Sequence, residues 1–108
     1  MKDLASLKDL DAALAPAPGP VVLYKHSTTC GICDGAIEEV QAFEAQHPGT
    51  TVYYLDLLEH RDVSNAIAQK LGIRHESPQA IVLRDGKPVA VFNHRAIKQS
   101  VLISATQK

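Results

Sequence analysis

The sequence predicts an α/β domain built on a mixed, four-stranded sheet with helices on both faces. Three observations carry this. Segments with apolar residues every three or four positions alternate with apolar runs of strand length. Proline and glycine punctuate the boundaries between them. The last two apolar runs are separated only by a turn containing Asp85-Gly86, a strong hairpin signal, so the sheet mixes helix-linked strands with a hairpin.

Leu4, Leu7, Leu10 and Leu14 predict an amphipathic first helix, with Asp3 near its positive end. Pro16, Pro18 and Pro20 end it. Val21-Val22-Leu23-Tyr24 is too short for a helix and continuously apolar, which predicts a central buried strand. Ser27, Thr28 and Thr29 supply turn and cap residues ahead of a helix marked by Ile37, Val40 and Phe43. His47-Pro48-Gly49 stops that helix.

Thr50 to Leu57 is rich in β-branched and aromatic residues and predicts a second strand. Val63, Ala66, Ile67 and Leu71 mark a third helix, with Gly72 as its C-cap. Gln79–Leu83 and Pro88–Phe92 predict the hairpin strands; a proline at the start of the last one suits a sheet edge. Ile97, Val101, Leu102 and Ala105 predict a closing helix. The order is α-β-α-β-α-β-β-α, and 108 residues suffice for one such core, a single domain over residues 1–108.

Composition narrows the function. Eleven Lys and Arg against twelve Asp and Glu give a net charge of −1, so no basic excess supports a nucleic-acid-binding surface. Trp is absent and aromatics are 5%, a poor supply for a base-stacking platform. The apolar runs are far too short to span a membrane. The N-terminal stretch places acids among its apolar residues and does not read as a signal peptide, so the expected location is the cytoplasm.

In that compartment thiols stay mostly reduced, and a close cysteine pair is reactive or metal-binding rather than a staple. The chain has two cysteines, Cys30 and Cys33, in a C-x-x-C motif between a predicted buried strand and a predicted helix. Unpaired N–H groups and the dipole at a helix start favour a thiolate, which makes Cys30 a competent attacker of disulfides. Cys33, one turn on, would be less exposed yet close enough to attack a mixed disulfide on Cys30. A structural zinc site needs four ligands, and His26, His47 and His60 do not supply that spacing. Lys25 and His26 either add positive potential near the thiolate or are solvated charges beyond the strand end. Tyr24 reads as core. Pro78, on its own, reads as a strand start.

The order of elements around Cys30–Cys33, with a proline ahead of a hairpin, resembles the thioredoxin fold over nearly the whole chain. That resemblance implies a cis Pro78 against the cysteines, with Ser77 offering backbone groups to a thiol partner. Thioredoxins proper usually carry Trp before Cys-Gly-Pro-Cys and an aspartate six residues ahead of the first cysteine; here Thr29 and Tyr24 stand in those places. Glutaredoxins resemble the Val22–Lys25 stretch but usually carry a Gly-Gly pair after the hairpin, where this chain has none. Tyr24-Lys25-His26-Ser27-Thr28-Thr29-Cys30-Gly31-Ile32 and the later Ser77-Pro78-Gln79 and Phe92–Ile97 segments are similar to the YtxJ-like bacilliredoxins of the bacillithiol system. Gly31 departs from the proline usual there, and Cys33 from the serine.

The resemblance implies a thiol–disulfide oxidoreductase with no bound cofactor. Its co-substrate would be bacillithiol or a similar low-molecular-weight thiol, and its clients oxidised or S-thiolated proteins. A flavoprotein reductase is the other possible electron source. Where family members with serine act through one cysteine, Cys33 allows internal resolution of a mixed disulfide on Cys30. The rival expectation is a non-enzymatic one: a thioredoxin-like adaptor that holds Cu(I) or zinc on its thiolates, or senses redox state, without turnover.

Overall fold

The computed structural model describes residues 1–107. Its elements run β1 (Lys2–Asp3), α1 (Leu7–Leu14), β2 (Val21–His26), α2 (Gly31–Gln46), β3 (Thr51–Asp56), α3 (Arg61–Leu71), β4 (Gln79–Arg84), β5 (Lys87–Asn93), a 3-10 turn (His94–Ala96) and α4 (Gln99–Thr106). The strands form one sheet in the order β1-β3-β2-β4-β5. β2 runs parallel to β3, Val21 opposite Thr51 and His26 opposite Asp56, and antiparallel to β4, with Lys25 opposite Gln79. The fold is an α/β thioredoxin-like fold with a mixed sheet.

The period-two geometry of β2 divides the core between two layers. Val21 and Leu23 pack with Leu10 and Ala13 of α1 and with Val63 and Ile67 of α3. Val22 and Tyr24 face the other way, onto Ala36, Val40 and Phe43 of α2 and Leu102 of α4. Because both faces of β2 are covered, all six of its residues are buried, which explains its unbroken apolar start. Phe43 is fully buried, and truncating such an aromatic to alanine costs about 3–5 kcal/mol.

The sheet has five strands rather than the four expected. Lys2 and Asp3 pair in parallel with Tyr53 and Tyr54 of β3, and the Leu4 N–H donates to the Tyr54 carbonyl at 2.8 Å. Both side chains of this strand are exposed, so a search for buried apolar patterns passes over it. The first helix consequently starts later than its leucine spacing predicts. Ser6 is its N-cap, accepting the Asp9 N–H at 3.1 Å, while Asp9 accepts the Ala5 N–H at 3.0 Å. Leu4 is buried in the core but lies outside the helix, and Asp3 belongs to β1.

Gly72 ends α3 in the left-handed conformation, φ 65°, as the sequence predicts. In the hairpin, Asp85 and Gly86 have φ values of 52° and 77°. A Cβ at Gly86 would collide with the Leu14 carbonyl, so glycine is needed there for space as well as conformation. At the C-terminal end, Ile97 is buried but precedes α4; the 3-10 turn interrupts the helical pattern ahead of it.

Candidate active site

β2 delivers the chain to one end of the sheet, and a tight turn returns it as α2. Cys30 N–H donates to the Ser27 carbonyl at 3.2 Å, and the Ser27 hydroxyl accepts the Thr29 N–H at 3.4 Å. Ser27 and Thr29 therefore shape the turn, and Cys30 itself occupies the N-cap position of α2. Cys30 is partly exposed and Cys33 is fully buried, both as free thiols.

The two thiols are held in opposite electrostatic conditions. The backbone N–H of Cys33 lowers the Cys30 pKa below the ordinary thiol value, helped by the Cys33 thiol and by the Ile32 N–H; Asp34 acts against them. This is the helix-start effect expected from the motif's position. Burial raises the Cys33 pKa, although the N–H of Ser27 donates to its sulfur at 3.5 Å and the Ser77 hydroxyl lies 3.8 Å from it. At neutral pH, Cys30 is the thiol that carries more thiolate.

The Ser77–Pro78 peptide bond is cis, and the Ser77 hydroxyl stands against the Cys33 sulfur. The Pro78 carbonyl accepts the His94 N–H at 2.9 Å, which ties this loop to the turn after β5. Gln79, fully buried, donates through Nε2 to the Arg74 carbonyl at 3.0 Å and to Asn93 Oδ1 at 2.9 Å. The side chain next to Pro78 thus fixes both flanks of the loop. Cys33 and the Ser77–Pro78 loop come together although Ser77 lies 44 positions further along the chain.

Lys25 and His26 are neither solvated nor beyond the strand end. Both are residues of β2, 0% and 5% exposed. Lys25 lies on the α3 side of the sheet, opposite α2, with Nζ 3.3 Å from His75 Nδ1; Ser64 Oγ is also 3.3 Å from that nitrogen. An ammonium can only donate, so His75 Nδ1 accepts and the ring is neutral. Burial pushes the Lys25 pKa down to about 8. Desolvation, with Lys25 and Arg61 adding to it, lowers that of His75. His26 is likewise lowered by desolvation, partly offset by Asp34 and Asp56.

Two contacts escaped the sequence reading. Tyr24 is core, as expected, but its hydroxyl lies 2.8 Å from His26 Nδ1 and donates to the Cys33 carbonyl at 3.4 Å. Its position six residues ahead of Cys30 was the available signal. The Ser77 side chain, rather than its backbone alone, reaches Cys33. Among the described residues no three His, Cys, Asp or Glu side chains gather into a metal-binding cluster, and no helix is long and apolar enough to cross a membrane.

Known proteins share this fold. The chain is similar to a solved thioredoxin-fold protein at 32% identity and a TM-score of 0.88, covering 96% of this chain and 91% of the other. Fasciola hepatica thioredoxin superposes with a TM-score of 0.76 at 20% identity, covering 99% of this chain and 97% of its own. Mitochondrial thioredoxin 3 from Saccharomyces cerevisiae, in its oxidised form, does so with a TM-score of 0.76 at 16% identity, covering 99% and 93%. These two show the fold. The family described as monothiol bacilliredoxin BrxC matches residues 2–102. With its Cys30-Gly31-Ile32-Cys33 pair at the start of α2, an arrangement suited to thiol–disulfide exchange, the chain belongs to the bacilliredoxin BrxC family of thioredoxin-fold oxidoreductases.

Proposed function

We propose that the protein reduces protein disulfides, or mixed disulfides between proteins and bacillithiol or a similar small thiol, by a two-cysteine route. The observation that carries this reading is the contrast between a partly exposed Cys30 with a lowered pKa and a fully buried Cys33 with a raised one. The exposed thiolate attacks; the protected thiol waits for an intramolecular target.

On an S-thiolated client the steps balance as follows. The Cys30 thiolate attacks the small thiol's sulfur, the client–sulfur bond breaks, and the client departs as a thiolate that takes a proton from solvent. The Cys33 thiol loses its proton and attacks Cys30 Sγ. The small thiol then leaves reduced, and Cys30–Cys33 is left as a disulfide holding the two oxidising equivalents. Two further small-thiol molecules, or a flavoprotein reductase, return the pair to its reduced form.

Ser77 lies at the edge of the docking surface beside the pair, and Pro78, itself buried, shapes that surface from beneath. The chain acts as one thioredoxin-like domain over residues 1–108, in the cytoplasm, without a bound cofactor. The family's description is monothiol, and Cys33 is what gives this member a resolving group. Trapping with Cys33→Ser tests the reading. A mixed disulfide should accumulate on Cys30, its mass naming the partner. A chain that binds metal through the pair but accumulates no mixed disulfide would instead be an adaptor.

A further inference from the structure

A groove of about 490 Å³ opens beside the cysteine pair, between the first half of α2 and the turn leading into α4. Gly31 and Ile32, the residues between the cysteines, line one end of it. We infer that this groove holds the carboxylate-bearing body of the small thiol while its sulfur is bonded to Cys30, with Arg95 and Lys98 as the recognising cations. The inference rests on the exchange reaction proposed above and names the substrate class of that site.

Size and charge both point to a small ligand. The volume lies within the range of about 300–1,000 Å³ typical of small-molecule sites, whereas a docked protein needs roughly 800 Å² of surface on each side. Arg95 and Lys98 are exposed on the groove and make no ion pair among the described residues. Their neighbour His94 is occupied, Nε2 lying 3.1 Å from Glu76 Oε1. Glu39 accepts the neutral Gln99 N–H at 2.8 Å and has no cation partner among the described residues. Glu38 also lines the groove, so a ligand carrying an amino group beside its carboxylates fits better than a bare polyanion.

The glycines supply an independent observation. Gly31 and Gly35 both line the groove, and a Cβ built on either would meet nothing within 4 Å. Neither has a left-handed backbone. Gly35 sits inside a helix, where glycine weakens the helix relative to alanine, and no packing of this chain requires it. What the missing side chains leave is open space against the α2 backbone, one and five residues beyond Cys30 and on the ligand's side.

The test uses a peptide whose single cysteine is capped either with glutathione, which bears carboxylates and an amine, or with glutathione diethyl ester, in which both carboxylates are masked. Wild-type protein should favour the free acid about tenfold in kcat/KM, the scale of a charge-assisted contact. In Arg95→Gln/Lys98→Gln that ratio should fall to about one, given the loss of both cations. Gly35→Ala should raise Tm yet raise KM for the glutathione-capped peptide about fivefold, by filling the groove. A wild-type ratio near one, or a Gly35→Ala variant with unchanged KM, overturns the groove assignment while the exchange reaction stands. If neither capped peptide is turned over, the exchange reaction itself is overturned, and the assignment with it.

Discussion

The Ser77 hydroxyl lies 3.8 Å from the buried sulfur of Cys33, joining the loop before β4 to the first turn of α2. With the Ser27 N–H at 3.5 Å it is one of two polar groups that favour a thiolate at a site otherwise hostile to charge. Ser77→Ala should push the Cys33 pKa further up and slow resolution by about threefold to tenfold, the worth of one such bond. Stopped-flow decay of a preformed mixed disulfide on Cys30 reads this step; the initial attack by Cys30 should keep its rate. An unchanged decay would separate Ser77 from the resolving thiol.

The opposite shifts of the two thiols give a pH order. Alkylation by iodoacetamide follows the thiolate, so the Cys30 rate should rise through a midpoint below that of a free thiol and the Cys33 rate above it. In Cys33→Ser the Cys30 midpoint should move up only part of the way. The largest cause of its lowering, the backbone N–H of residue 33, survives the substitution. Mass-resolved alkylation between pH 5 and 10 checks both statements.

Tyr24→Phe removes the hydroxyl shared between His26 and the Cys33 carbonyl while keeping the ring in its place. His26 Nδ1 is then left buried without its partner, which should cost about 1–3 kcal/mol. Urea unfolding of the reduced protein measures it, and a loss much below 1 kcal/mol would mean that water or a turned ring replaces the bond.

Lys25 makes a prediction of opposite sign. Its pKa falls from 10.5 in the unfolded chain to about 8 in the fold, so the unfolded state binds the extra proton between those values. Its contribution to stability therefore rises with pH across that window, and below pH 8 the full penalty remains. Lys25→Met should stabilise the reduced protein at pH 7 by up to about 3 kcal/mol, a gain that shrinks as pH approaches 10.5. Comparing the two proteins at each pH cancels the titration of Tyr24 and the thiols. A gain independent of pH would assign it to packing alone.

Much of this protein is legible in its sequence because the signals are local. Gly72 and the Asp85-Gly86 pair follow from backbone conformations that few residues adopt. The apolar spacing of Val40 and Phe43 fixes the buried face of α2. The edge pairing of Lys2 and Asp3 was invisible, since backbone hydrogen bonds to β3 make that strand and no buried side chain marks it.

The same division holds at the site. A cysteine pair between a buried strand and a helix start is written in the sequence, and with it the unequal exposure of Cys30 and Cys33: helix geometry places them one turn apart. The fates of Lys25 and His26 are not written there. A charged residue after an apolar run reads as the end of a strand, and only the pairing of β2 on both edges, with α3 and the His75 loop over one face, draws Lys25 out of water. Ser77 reaches Cys33 for the same reason, because the sheet brings β4 beside β2 although α2, β3 and α3 separate them along the chain. Sequence alone placed the cysteine pair in its local frame, between a buried strand and the start of a helix. Tertiary structure decided what surrounds them, since burial and long-range hydrogen bonds depend on neighbours that no local pattern names.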